Sequence, residues 1–85
     1  MADLHRAFAG EVAVRLPRLL ADPFGADAVR DAHTLGSSAV VVGRLDVSRT
    51  ARGLEAELTA DTPDPERARR LVIELAGQLS CVSGS

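Results

Sequence analysis

The sequence predicts an all-α fold, an antiparallel up-down-up-down four-helix bundle made by a single domain over residues 1–85. Three observations predict it. Four stretches carry apolar residues at spacings of three and four, the helical period. Glycine, proline and aspartate fall between those stretches, where the chain must reverse. No stretch alternates apolar with polar residues over the length of a strand, and the β-branched run Val40-Val41-Val42 lies inside a helical stripe.

The first helix is expected over about Asp3 to Ala21, where Leu4, Phe8, Val12, Leu16 and Leu19 line one face. Pro17 deletes a backbone donor and crowds the preceding turn, so a kink or restart is expected near Leu16. Asp22-Pro23-Phe24-Gly25 reads as a turn, with Asp22 placed to cap a short helical start. The second helix is expected from Ala26 or Asp27 to Val42, with the stripe Ala28, Ala32, Leu35, Ala39 and Val42 and a left-handed stop at Gly43. The third starts just past Gly43 and buries Val47, Ala51, Leu54 and Leu58; its stop is Asp61-Thr62-Pro63. The fourth opens with Asp64 as N-cap, Pro65 in the first helical position and Glu66 in the first turn, and its stripe is Ala68, Leu71, Val72, Leu75 and Leu79. Residues 80–85 are small and polar and are expected to fray.

Composition narrows the function classes. Phe8 and Phe24 are the only aromatics, too few for stacking nucleobases. Twelve acidic residues against ten basic ones, all arginine, leave a net charge of −2, which makes nucleic acid or an anionic membrane a poor partner. No apolar run approaches a membrane span and no signal-peptide core appears. The lone Cys81 has no partner for a disulfide, no Cys/His spacing fits zinc, and a cytoplasmic setting is expected. A chain of 85 residues has no room for a deep cleft with a full catalytic set, so it is expected to act on another protein, as a monomer.

The segment Asp31 to Gly43 carries the candidate chemistry. With His33 as the zero of angle at 100° per residue, the stripe of the second helix lies more than about 100° away on one side. His33 therefore points partly outward. Val29, Arg30, Gly36 and Ser37 sit one turn from it, and Val40 two turns away on the same line. An exposed helix face normally carries long polar side chains. Here small residues leave room for another protein to reach the ring, and valines offer it dry contact area. A mid-helix glycine costs about 1 kcal/mol against alanine, and a need for close approach offsets such a cost. Neutral imidazole is a competent nucleophile toward phosphorus, and phosphoryl transfer depends mainly on positioning and charge neutralisation.

His33-Thr34-Leu35-Gly36-Ser37-Ser38-Ala39-Val40-Val41-Val42-Gly43, followed by a helix with Leu54-Glu55, resembles the histidine phosphotransfer (HPt) domain of two-component phosphorelays. The family pattern is H-x-L-K-G-S-A-x-x-x-G. The match holds at His33, Leu35, Ser38, Ala39 and Gly43; the resemblance covers most of the chain loosely and about 30 residues around His33 closely. The resemblance implies a four-helix bundle, His33 as phosphoacceptor, and a response-regulator receiver domain or a histidine kinase as partner. It implies no cofactor of the chain's own, the Mg²⁺ residing on the receiver. Two positions depart. Gly36 stands where the family has a lysine that helps hold the phosphoryl group, and Ser37 where it has a glycine. Ser37 is still small, and Arg30, one turn before His33, is the candidate replacement cation.

The expected function is therefore that of a phosphocarrier rather than a complete enzyme, with His33 as acceptor and Val29, Arg30, Gly36, Ser37 and Val40 as the docking surface. The missing lysine motivates an alternative, a degenerate HPt-like module that binds or dimerises without phosphotransfer. His5 and the group Arg67, Arg69 and Arg70 read as solvated, and Asp61, Asp64 and Glu66 do not have the alternating spacing of a calcium loop. No metal site is expected.

Overall fold

The computed structural model describes residues 2–84, and the side chains of residues 4–80. The chain forms four helices: α1 (Ala2–Ala21), α2 (Ala28–Val41), α3 (Leu45–Leu58) and α4 (Pro65–Gly84). They pack side by side in the ring α1–α2–α3–α4–α1, a four-helix bundle of about 40 × 20 × 19 Å. The longest helices, α1 and α4, have 20 residues each and span about 30 Å.

The apolar stripes are the core. Phe8 and Leu19 from α1, Ala28, Ala32, Leu35 and Ala39 from α2, Val47, Ala51 and Leu54 from α3, and Ala68, Val72, Leu75 and Leu79 from α4 are all buried. Val12, Leu16, Val42, Leu58 and Leu71 pack partly buried around them. Leu4 ends the stripe of α1 but stays about half exposed. Where α2 faces its neighbours the residues are mostly alanine and glycine, which lets α3 approach closely. Two of the neighbouring pairs meet in opposite senses. His33 pairs with Glu55 and Gly36 packs on Arg52, so numbers rise along α2 as they fall along α3. Likewise Thr50 reaches Glu74 while Glu57 pairs with Arg67 between α3 and α4.

The helix ends follow local chemistry. Gly43 has φ +78°, and its N–H donates to Val40 O at 3.1 Å while Arg44 N–H donates to Ala39 O at 2.8 Å. This paired closure stops α2 with a left-handed residue that only glycine adopts at little cost, and residues 42–44 are the whole link to α3. At the other end of the bundle, Asp64 Oδ1 accepts the N–H of Glu66 at 3.0 Å and that of Arg67 at 3.4 Å, which caps α4 as its sequence requires.

Several boundaries differ from the sequence expectation. Pro17 lies on the exposed side of α1, and the helix runs through it without a restart. The Asp22 side chain accepts the N–H of Phe24 at 3.0 Å, so residues 22–25 form a side-chain-braced turn rather than a helical start. Helix α3 ends at Leu58 because Thr59 turns its hydroxyl back onto Glu55 O and Ala56 O. Helix α4 continues to Gly84, across most of the segment expected to fray, while the side chain of Cys81 lies outside the described residues.

Candidate functional site

His33 sits on the outer edge of α2 with its side chain 65% exposed. Its Nδ1 lies 3.2 Å from both Oε1 and Oε2 of Glu55 on α3. The carboxylate is an acceptor only, so Nδ1 carries the proton and donates it toward Glu55. That choice leaves the lone pair on Nε2, which has no partner among the described residues. The site is thus an exposed, oriented imidazole braced from the neighbouring helix.

The surface around the ring contains most of the residues expected there. Val29, Arg30, Ser37 and Val40 are exposed on α2. Gly36 is a correction: it is buried beneath α3 and belongs to no docking surface. A Cβ at Gly36 would stand 3.5 Å from Cβ of Ala51, 3.5 Å from Cγ of Arg52 and 3.7 Å from Ser48 O. The reason is angular. Gly36 lies about 60° from His33 on the side of Ala32 and Ala39, whereas Arg30 and Ser37 lie on the other side, away from α3. The glycine serves helix approach, and Arg30 does not face the α2–α3 groove.

Helix α3 supplies what the α2 sequence alone did not indicate. Glu55 braces the ring, and Arg49 and Arg52 are exposed beside Val40, Leu45 and Ser48 around an open depression of about 280 Å³. The local charge is therefore positive on a chain whose net charge is −2. Val29, Val40 and Leu45 are exposed and give the same region apolar contact area, whereas Val41 lies on the side facing α1.

Asp31, two residues before His33, opens the segment singled out in the sequence but has no role assigned to it there. Its side chain is 1% exposed, and its Oδ1 accepts hydrogen bonds from Arg15 at 2.8 Å and Arg18 at 2.9 Å. Glu11 accepts from the same Arg15 at 2.8 Å and, with Asp31, holds that guanidinium above the ordinary arginine range against the opposing effect of burial. This network ties α1 to α2 on the side of α2 away from His33. Its signal in the sequence was Asp31's position inside the apolar stripe, about 160° from His33.

Among the described residues, no three His, Cys, Asp or Glu side chains converge to hold a metal ion. No described helix is long and apolar enough to cross a membrane. Arg67 pairs with Glu57 at 3.0 Å, and Asp64 is a helix cap, so both have structural roles. No family model, no curated protein and no solved structure matches this chain.

Proposed function

We propose that the protein is a phosphocarrier of the histidine phosphotransfer kind, with Nε2 of His33 as the phosphoacceptor. One observation carries this reading: an imidazole 65% exposed, with Nδ1 held by a carboxylate at 3.2 Å and Nε2 without a partner among the described residues. In the forward step the Nε2 lone pair bonds to phosphorus as the bond to the donor breaks. An aspartyl phosphate on a receiver domain leaves as the aspartate carboxylate; ATP on a histidine kinase leaves as ADP. The Nδ1 proton stays on the ring, and Glu55 offsets the positive charge that the ring gains. The chain supplies the nucleophile and a docking face of Val29, Arg30, Ser37 and Val40. The partner supplies Mg²⁺ and the activated phosphoryl group, so the bundle needs to supply only the nucleophile and the surface that docks.

The test is incubation with a panel of phosphorylated receiver domains in the presence of Mg²⁺. The expected product is an acid-labile phosphoryl group on His33 that His33→Gln abolishes. Label that persists in His33→Gln, or a histidine that no donor labels, would remove the carrier reading.

A second reading is favoured by the exposed Val29, Val40 and Leu45 and by the absence of a cation at Gly36. The face then serves as a docking module without phosphotransfer. It predicts binding to a receiver or kinase that His33→Ala leaves intact.

A further inference from the structure

A phosphoryl group on Nε2 would bring nearly two negative charges to a ring already braced by the Glu55 carboxylate. Like charges this close repel, so a lasting phosphohistidine needs a cation beside it. Three exposed arginines lie on α2 and α3, the helices that bear His33 and Glu55: Arg30, Arg49 and Arg52. Arg30 lies on α2 itself, one turn before His33, and Arg49 stands a turn beyond Arg52, farther from Glu55 along α3.

Arg52 differs from both. It lies three residues before Glu55 on α3, hence on the same face. Its Cγ rests over Gly36, at 3.5 Å from where a Cβ would be, and Gly36 is one turn, about 4.5 Å of rise, beyond His33 on α2. His33 and Gly36 on one helix thus match Glu55 and Arg52 on the other. The stem of Arg52 is packed, whereas its guanidinium is exposed and has no carboxylate partner among the described residues. Packing the stem restricts its rotamers, so less entropy is lost when the guanidinium engages an anion. A long side chain at position 36 would occupy the ground on which that stem rests.

We infer that Arg52, reaching across Gly36 from α3, is the residue that binds the phosphoryl group carried by His33. This rests on the carrier reading above. It also gives Gly36 a role: the glycine lets the cation come from the neighbouring helix. The guanidinium presents two parallel donors to two phosphoryl oxygens, a geometry that lysine cannot reproduce.

The experiment uses phosphoramidate, a small donor that needs no partner protein. The P–N bond of the donor breaks, ammonia leaves, the Nε2–P bond forms, and the Nδ1 proton remains with the ring beside Glu55. Phosphorus NMR then reports formation and decay of phosphohistidine in the wild-type chain and in His33→Gln, Arg52→Gln, Arg52→Lys and Arg70→Gln, with helicity followed by circular dichroism. Arg70 is an exposed arginine on α4, which does not adjoin α2. In Arg52→Gln the phosphohistidine is expected to form and persist roughly tenfold less well, as loss of a charge-assisted hydrogen bond implies. Its phosphoryl ionisation, read from the phosphorus shift against pH, is expected to move upward. Arg52→Lys recovers part of both effects and Arg70→Gln neither. A folded Arg52→Gln with wild-type lifetime and wild-type phosphoryl titration overturns the role of Arg52 and leaves the carrier reading standing. A wild-type chain that gives no phosphohistidine, or the same signal in His33→Gln, overturns the carrier reading itself.

Discussion

Glu55 places both carboxylate oxygens 3.2 Å from Nδ1 of His33, across the groove between α2 and α3. The contact decides which ring nitrogen keeps the proton, and so which one is free to react. In Glu55→Gln the amide oxygen still accepts the Nδ1 proton, so the tautomer is kept while the negative charge is lost. In Glu55→Ala both are lost. Nitrogen NMR of the imidazole is expected to show the Nδ1–H tautomer in the wild type and in Glu55→Gln, and a mixture in Glu55→Ala. Phosphorylation of Glu55→Ala is expected to slow by roughly tenfold, in line with the loss of one hydrogen bond to a charged group. An unchanged tautomer in Glu55→Ala would show that the carboxylate does not set it.

Gly36→Ala is expected to leave stability unchanged or raise it by up to about 1 kcal/mol, because alanine is the better helix former. The new Cβ meets Ala51 and Arg52 at 3.5 Å, which is ordinary contact. Gly36→Leu is expected to destabilise by about 1–3 kcal/mol, since its branches have no space under α3. Urea denaturation of the two variants measures both. A large loss in the alanine variant would mean that α2 and α3 pack more tightly than this geometry allows.

Asp31→Ala is expected to cost about 2–3 kcal/mol. The carboxylate is buried, but its partners are not stranded by its removal: Arg15 keeps Glu11, and Arg18 is about half exposed. The cost therefore falls short of that for a fully enclosed pair. The same substitution tests independence of site and scaffold, because Asp31 faces α1 and not the groove. Thermal melts are expected to shift while the Nδ1–H tautomer of His33 stays as it was.

Asp46 gives a pH dependence with a definite sign. Its carboxyl group is held below the ordinary value of 3.8, first by the side chain of Arg44 and then by the backbone N–H of Val47 at the start of α3. A depressed folded value means that the carboxylate contributes stability above pH 3.8 and loses it as the pH falls through the folded value. The group is exposed to solvent, so the effect is small. Comparing urea midpoints of the wild type and Asp46→Asn at about pH 6 and again below about pH 3 checks it. The wild-type advantage is expected at the higher pH and absent at the lower. An advantage that is the same at both would place its origin elsewhere.

The four stripes made the bundle legible in the sequence, because residues such as Leu35, Leu54 and Leu75 recur at the spacing that one helix face demands. His33 was legible for the complementary reason: it lies off the stripe. Gly36 misled because distance on a helical wheel has no sign. It and Arg30 are equally far from His33, and only the packing of α3 separates them into buried and exposed. Glu55 and Arg52 were not legible as partners of α2. Their placement depends on the register between two helices, which the periodicity of either one leaves open. Asp31 was readable in principle, as a charge inside an apolar face, but its arginine partners lie 13 and 16 residues away on another helix.

The turn at Gly43 has a bearing on how the two sides of the groove keep step. Only residues 42–44 separate the helix that bears the imidazole from the one that bears its carboxylate. One residue added there would advance α3 by about 100° in phase, carrying Glu55 and Arg52 off the groove together while the rest of α3 looked for new neighbours. Longer connections at residues 22–27 and 59–64 leave more slack. Tolerance to insertion is therefore lowest at the shortest loop, and lengthening it would disable His33 without touching any residue that contacts the ring.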